Sequence, residues 1–357
     1  MIGKDEIWYK KIAEIYDGIR NQDDHPLFRF CAMEYYRDFW ELVQHLYSEK
    51  ALSTVGEIKR FKRQLELNGN FDCARYLQGV PEIIFQYFAM RKQLEFHLEK
   101  NVNNKNGKDV DIQLRDGDFT YNVEIKTPQY LVESNEEDVI KANTSYRVME
   151  KEKLDTEKAH LHDMLEPALK SKDNKFTKIQ YSKIEDNKLL SFLRDAQEKF
   201  SDSDENSINI LALSVTSDKM QDYWNYLYNG YSGVFTPCYN SDLIHIKKEE
   251  FDRIDVILLS NLISGHVHPV DGHNSWHLES YCNILCRNAN SQRAHVNQSM
   301  HNRYQIVYIK AMELFPNSTN GFEELYKKYD SNFPDEFKTC IFSELLSSYY
   351  AWLWWNH

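Results

Sequence analysis

Apolar positions recur at helical spacing in the first part of the chain, alternate in the middle, and merge into nearly continuous runs further on. From Asp5 to Arg20, the residues Ile7, Trp8, Ile12, Ile15 and Ile19 fall on one helical stripe. His25-Pro26 predicts the opening of a longer helical stretch to about Lys50, because Pro in a first turn gives up an N–H that has no partner there. Ser53 is the expected N-cap of a third helix ending near Asn68-Gly69. Gly79-Val80-Pro81 is the expected start of a fourth, from Glu82 to about Lys92.

From Leu94 the period drops to two. The segments Leu94–Glu99, Asp109–Arg115 and Phe119–Thr127 alternate and predict strands, with Asp116-Gly117 as the two-residue loop of a hairpin. Residues 129–178 are charged and Gly-free, which predicts an insertion that is helical in part, as in Met149–Lys170. A helix is expected from about Asn187 to Phe200. The runs Ile208–Val215 and Ile254–Leu259 have the composition of strands buried on both faces. Gln305–Ala311 is expected as a further strand, and Glu323–Tyr329 and Asp335 to about Trp354 as closing helices. The pattern divides the chain into a helical region (1–79), an α/β core (80–300) with a charged insertion at about 129–178, and a closing strand and helices (301–357) packed on that core.

Composition narrows the class. The 357 residues are 42% apolar and 27% charged, near the globular norm, which excludes a disordered or fibrous chain. No run approaches the roughly 18 apolar residues of a membrane span, and Met1-Ile2-Gly3-Lys4-Asp5-Glu6 lacks a signal-peptide stretch. With six scattered Cys, the expectation is a soluble, reduced, cytoplasmic protein with no membrane partner. The 43 Lys+Arg against 55 Asp+Glu give a net charge of −12. That excludes coating nucleic acid by bulk charge, so a nucleic-acid groove would have to be locally basic. Lys59-Arg60-Phe61-Lys62-Arg63 and Lys170–Lys178 are candidate phosphate contacts, weighed against solvated helix faces, the commoner role of such runs. The aromatic segment Tyr223–Tyr231 reads first as core. The chain has no Gly-rich phosphate loop, Rossmann fingerprint, Gly-x-Ser-x-Gly elbow or His-Glu-x-x-His, which weakens NTPase, dehydrogenase, serine-hydrolase and zinc-protease readings.

The hairpin carries the candidate chemistry. With Asp116-Gly117 as its loop, Asp111 would sit opposite Asn122 and Asp109 opposite Glu124. Alternation then projects Asp109, Asp111, Asn122, Glu124 and Lys126 from one face, and Val110, Ile112, Leu114, Tyr121, Val123 and Ile125 from the other. Clustered carboxylates suit a hard divalent cation such as Mg²⁺, which takes one or two of them and keeps its remaining positions for water and phosphate. Lys126, on the same face, suits the orienting of a water or the stabilising of charge on a reacting phosphate. The stretch His266-Val267-His268-Pro269 with Asn274, His277, Cys282 and Cys286 is a second candidate, for zinc or an HNH-like site. Its spacings fit neither well, and a polar loop after a core strand is the expected outcome.

Asp111, a short hairpin and then Glu124-Ile125-Lys126 resembles the PD-(D/E)xK motif of restriction-endonuclease-like nucleases. The order of helix, three strands, helix and strand over about residues 80–216 is also similar to that family's core, though Val110 stands where many members carry Pro. The resemblance implies a restriction-endonuclease-like α/β fold with a mixed central sheet flanked by helices. It further implies an endonuclease-like phosphodiesterase that hydrolyses DNA with Mg²⁺, or Mn²⁺ in its place. On that resemblance Asp111, Glu124 and the Ile125 carbonyl would hold the metal, with Glu82 as a further acid. Lys126 would serve the water. Gln197 would assist from the following helix, with Lys199 and Lys188 as alternatives. A non-catalytic binding or scaffold protein on this or another α/β fold is the competing class.

Overall fold

The computed structural model describes residues 4–103, 107–128, 139–142, 151–169, 178–181, 185–202, 206–228, 233–235, 246–288, 290–295 and 298–316. The N-terminal part is helical: α1 (Lys4–Arg20), α2 (Pro26–Arg29), α3 (Glu34–Ser48), α4 (Val55–Gln64) and α5 (Cys73–Arg91). Strands β1 (Glu95–Asn101), β2 (Asp109–Asp116) and β3 (Phe119–Lys126) follow, then β4 (Val139–Ala142), α6 (Lys151–Leu169) and β5 (Lys178–Tyr181). The rest comprises α7 (Glu185–Lys199), β6 (Ser207–Ser214), α8 (Met220–Tyr228), β7 (Val256–Ser260), α9 (Ser264–Val267), β8 (Asn283–Arg287), α10 (Gln292–His295) and α11 (Gln298–Leu314).

Six strands make one mixed sheet in the order β1-β2-β3-β6-β7-β8, and β4 pairs with β5 in a separate parallel ribbon. Strands β1, β2 and β3 form an antiparallel meander, β3, β6 and β7 run parallel, and β8 closes the far edge antiparallel. The parallel strands β6 and β7 are buried along their whole length, as their unbroken apolar sequences require. One sheet face (Ile112, Tyr121, Val123, Ile210, Leu258) shares a core with α5 and with Tyr35, Phe39 and Leu42 of α3. The other face (Leu211, Leu213, Ile257, Leu259) packs on Leu189, Leu193 and Ala196 of α7 and on Trp224 and Leu227 of α8. Among the described residues, no helix is long and apolar enough to cross a membrane.

Several sequence expectations need correcting, each for a local reason. The stretch expected from His25 to Lys50 is two helices, because the Cys31 N–H turns back onto the Phe28 carbonyl and the Met33 N–H onto that of Phe30 between them. Thr54, not Ser53, caps α4. Its hydroxyl accepts from Glu57 N–H at 3.2 Å, while the Glu57 carboxylate takes the Thr54 N–H at 2.8 Å. The helix expected from Glu82 begins nine residues earlier, at an Asp72 cap, and runs through Gly79 and Pro81. A Cβ on Gly79 would stand 2.1 Å from the Gln64 carbonyl oxygen, so glycine here permits the close approach of α4 to α5 rather than breaking the helix. Gln305–Ala311 lies inside α11, not in a strand: Val307, Ala311 and Leu314 are buried at helical spacing while Ile306 and Ile309 are exposed. Strand β8 was not foreseen. The closing helices expected beyond residue 316 and the run 170–177 lie outside the described residues.

The hairpin loop is Gly117-Asp118 rather than Asp116-Gly117. Asp116 pairs with Phe119 and Arg115 with Thr120, and Gly117 takes a φ of +57°, open to glycine at little cost. Gln113 therefore sits opposite Asn122, displacing the expected Asp111–Asn122 and Asp109–Glu124 pairs by two residues. Because the displacement is even, the side chains from Ile112 to Leu114 and from Tyr121 to Ile125 keep their expected faces, while Val110, beyond the break in the ladder, packs with Leu189 and Leu193 of α7 instead.

Two buried histidines brace the N-terminal helices, His25 among themselves and His266 to the segment after β7. His25 Nε2 donates to the Leu65 carbonyl at 2.7 Å, and its Nδ1 accepts the Leu27 N–H at 3.1 Å. His266 Nδ1 lies 2.8 Å from the Tyr35 hydroxyl, which is 2.5 Å from that of Tyr76. Burial lowers His25 from 6.5 to about 4 and His266 to about 3. Their neutral forms thus stabilise the fold fully above pH 6.5, and that contribution is lost as pH falls from 6.5 toward the folded values. Denaturant titrations of the protein and of His25→Gln should diverge below pH 6.5, with the unmodified protein losing up to about 1.4 kcal/mol more per pH unit. Parallel pH profiles would contradict the neutral, buried assignment.

Candidate active site

The ladder between β2 and β3 is paired from Asp116↔Phe119 to Ile112↔Val123. At the next position the Asp111 side chain enters in place of backbone, and its Oδ2 accepts the Ile125 N–H at 2.6 Å. The same row is distorted in β1. Glu99, between the pairs Leu98↔Ile112 and Lys100↔Val110, holds a φ of +50°, unfavourable for a residue with a Cβ. Glu99, Asp111 and Glu124 thus lie side by side where three strands loosen.

Glu124 is fully buried. Its Oε2 accepts from Lys199 Nζ at 2.8 Å. Its Oε1 lies 2.7 Å from Lys199 Nζ and 3.0 Å from Lys126 Nζ, yet neither contact has hydrogen-bond alignment, so this oxygen is charge-paired but takes no aligned donor. Lys199 is also 3.8 Å from Asp111 Oδ1, and Lys126 is 3.7 Å from Asp195 Oδ2. Asp195 and Lys199 are four residues apart on α7, which brings both onto the face turned to the sheet. Beside this group Gln113 donates to Asn122 at 2.8 Å and Asn122 to Asn209 at 2.9 Å, a polar row crossing β2, β3 and β6 on the same face.

The expected site residues therefore divide. Asp111, Glu124 and Lys126 come together, and Ile125 joins them through its N–H to Asp111. Glu82 stands apart, accepting from Gln64 Nε2 at 2.6 Å and acting on Asp111 only through its field. Gln197 does not reach the site. Two residues from both Asp195 and Lys199, it faces the other way and binds the Glu249 carbonyl at 3.0 Å and Asp252 at 2.7 Å. Lys199, held as an alternative, takes its place, while Lys188 is exposed about three turns up the helix. Asp195 was missed, although its spacing of four from Lys199 pointed to it.

Burial raises Glu124, and repulsion by Asp111 adds to it, against the pull of Lys126 and Lys199. Asp111 is raised too, chiefly by burial and further by Glu82, opposed by Lys199 and the Ile125 N–H. Burial would depress Lys126, but attraction by Glu124, Asp111 and Asp195 outweighs it and holds the ammonium above its ordinary value. Lys126 and Lys199 supply the positive charge that faces the two carboxylates. Among the described residues, no group of three or more His, Cys, Asp or Glu forms a metal cluster. A divalent ion here would rest on two carboxylates, backbone oxygen and water, a donor set suited to Mg²⁺ and poor for Zn²⁺. The unaligned Glu124 Oε1 fits that role.

Two members of the histidine stretch are core residues. His266 is buried against Trp276 and Tyr35, and Cys286 is buried in β8. Tyr223, Trp224 and Tyr228 are core residues of α8. Comparison of the chain with family models, curated proteins and solved structures gave no match. Replacing Lys199→Met should raise the apparent pKa values of the Asp111–Glu124 pair further, read by ¹³C-carboxyl NMR titration. Unchanged values would show that Lys199 does not hold the pair.

Proposed function

We propose that the chain is a magnesium-dependent nuclease of restriction-endonuclease-like type, hydrolysing phosphodiester bonds in DNA. The observation that carries the reading is the shared, charge-coupled face of Asp111, Glu124 and Lys126 at a break in the β2–β3 ladder. In it, Asp111 and Glu124 would hold the ion, with Mn²⁺ able to replace Mg²⁺. A bound divalent ion supplies Lewis acidity toward the phosphate and the attacking water. The chain's own groups do the rest. Lys126, held charged by three carboxylates, orients the water and faces the charge that grows on the phosphate oxygens. Lys199 fixes the Glu124 carboxylate, and Glu82 raises Asp111 by repulsion.

A second reading has its own support. Lys126 and Lys199 already neutralise the two carboxylates, which is how a non-catalytic α/β scaffold would satisfy them. Cleavage of plasmid DNA with Mg²⁺ or Mn²⁺ separates the two. Asp111→Asn, which keeps an oxygen for the Ile125 N–H, and Lys126→Ala should each lower the rate at least about 100-fold while the chain stays folded. Because the raised carboxylates must be ionised to act, activity should fall with decreasing pH starting above the ordinary carboxylate range of about 4. Either variant cutting at the unmodified rate would refute the assignment.

A further inference from the structure

Helix α4 sets out a basic face in a chain with an excess of acid. Arg63 lies four residues from Lys59 and three from Arg60, so it stands between them on one side of the helix. Lys62 is paired within the fold, 3.8 Å from Glu14. Among the described residues, no carboxylate lies within ion-pair distance of Lys59, Arg60 or Arg63, and Lys59 and Arg63 are exposed. Two contacts fix where this face points. The Gln64 backbone sits directly on Gly79 of α5, too close for any side chain there. Gln64 Nε2 then donates to Glu82 Oε2 at 2.6 Å, one turn further along α5. The last turn of α4 is thereby locked beside the acid whose field reaches Asp111, and Arg60 and Arg63 both pull on that same acid.

We propose that the Lys59–Arg60–Arg63 face of α4 is the surface that holds the DNA backbone and leads it toward the Asp111–Glu124 site. The inference rests on the nuclease reading and adds to it the place where phosphate is gripped. Charge complementarity argues for this occupant. A net charge of −12 repels a polyanion, so binding needs a locally basic, solvent-facing patch. Lys59 and Arg63 are exposed on α4 with Arg60 half-buried beside them, whereas Lys126 and Lys199 are engaged with carboxylates. A competing role exists. Cations in a last helical turn also complement the helix dipole, and that role predicts lost stability without lost binding.

The test uses full-length Asp111→Ala protein, which does not consume its substrate, with and without Arg60→Gln and Arg63→Gln. Fluorescence anisotropy with a labelled 30-base-pair DNA duplex is read from 50 to 200 mM NaCl. The double substitution should weaken binding at least about tenfold and lower the slope of log K against log salt by about 2, the value for two lost phosphate contacts. Equal affinity and slope in the two proteins, or a lower melting temperature with binding kept, would overturn the inference. In that case the nuclease reading stands if the unmodified chain still cuts DNA and Asp111→Ala does not. Absence of both binding and cleavage in the unmodified chain overturns both, and tighter binding to an RNA duplex overturns the choice of DNA.

Discussion

A single carboxylate takes over the work of a strand at the point where β2 and β3 part. Asp111 accepts the Ile125 N–H that would otherwise lack its ladder partner, and this bond sets the distance between Asp111 and the two side chains flanking Ile125. Those are Glu124 and Lys126, both on the face that meets α7. An unpaired backbone N–H in a buried sheet costs about 1–3 kcal/mol, so the splay persists only because a side chain answers it. The geometry of the site follows from that substitution.

The surrounding packing makes the substitution durable. Strands β6 and β7 are buried on both faces and give β3 a rigid neighbour on one side, while the edge strand β1 yields at Glu99 on the other. Helix α7 presses its apolar stripe on the same sheet face and delivers Asp195 and Lys199 to the gap between hydrophobic contacts. Burying Glu124 next to Asp111 opposes folding, and the two ammoniums offset it.

Much of this was legible in the sequence. Strict alternation in 109–115 and 119–127 gave the shared face correctly, even though the loop was placed one residue too early, because an even register displacement preserves side-chain parity. The continuous apolar runs gave β6 and β7, and the short run of β8 was hidden among polar loop residues. Gly79 and Pro81 misled for a physical reason: their usual role as helix breakers yields when a neighbouring backbone needs the room that only glycine leaves. The choice of Gln197 over Lys199 could not be made from composition. It turns on the rotation of α7 about its axis, which the burial of Leu189, Leu193 and Ala196 decides.

The central claim is that Asp111 and Glu124 form one cation site in the native state. Melting temperature against Mn²⁺ concentration tests it without requiring a substrate, because a ligand that binds only the folded chain must stabilise it, by about 2.7 kcal/mol at 100 times its Kd. The account expects a saturable rise in the unmodified protein and none in Asp111→Asn. A flat response in the unmodified protein, or an equal rise in both, would contradict it.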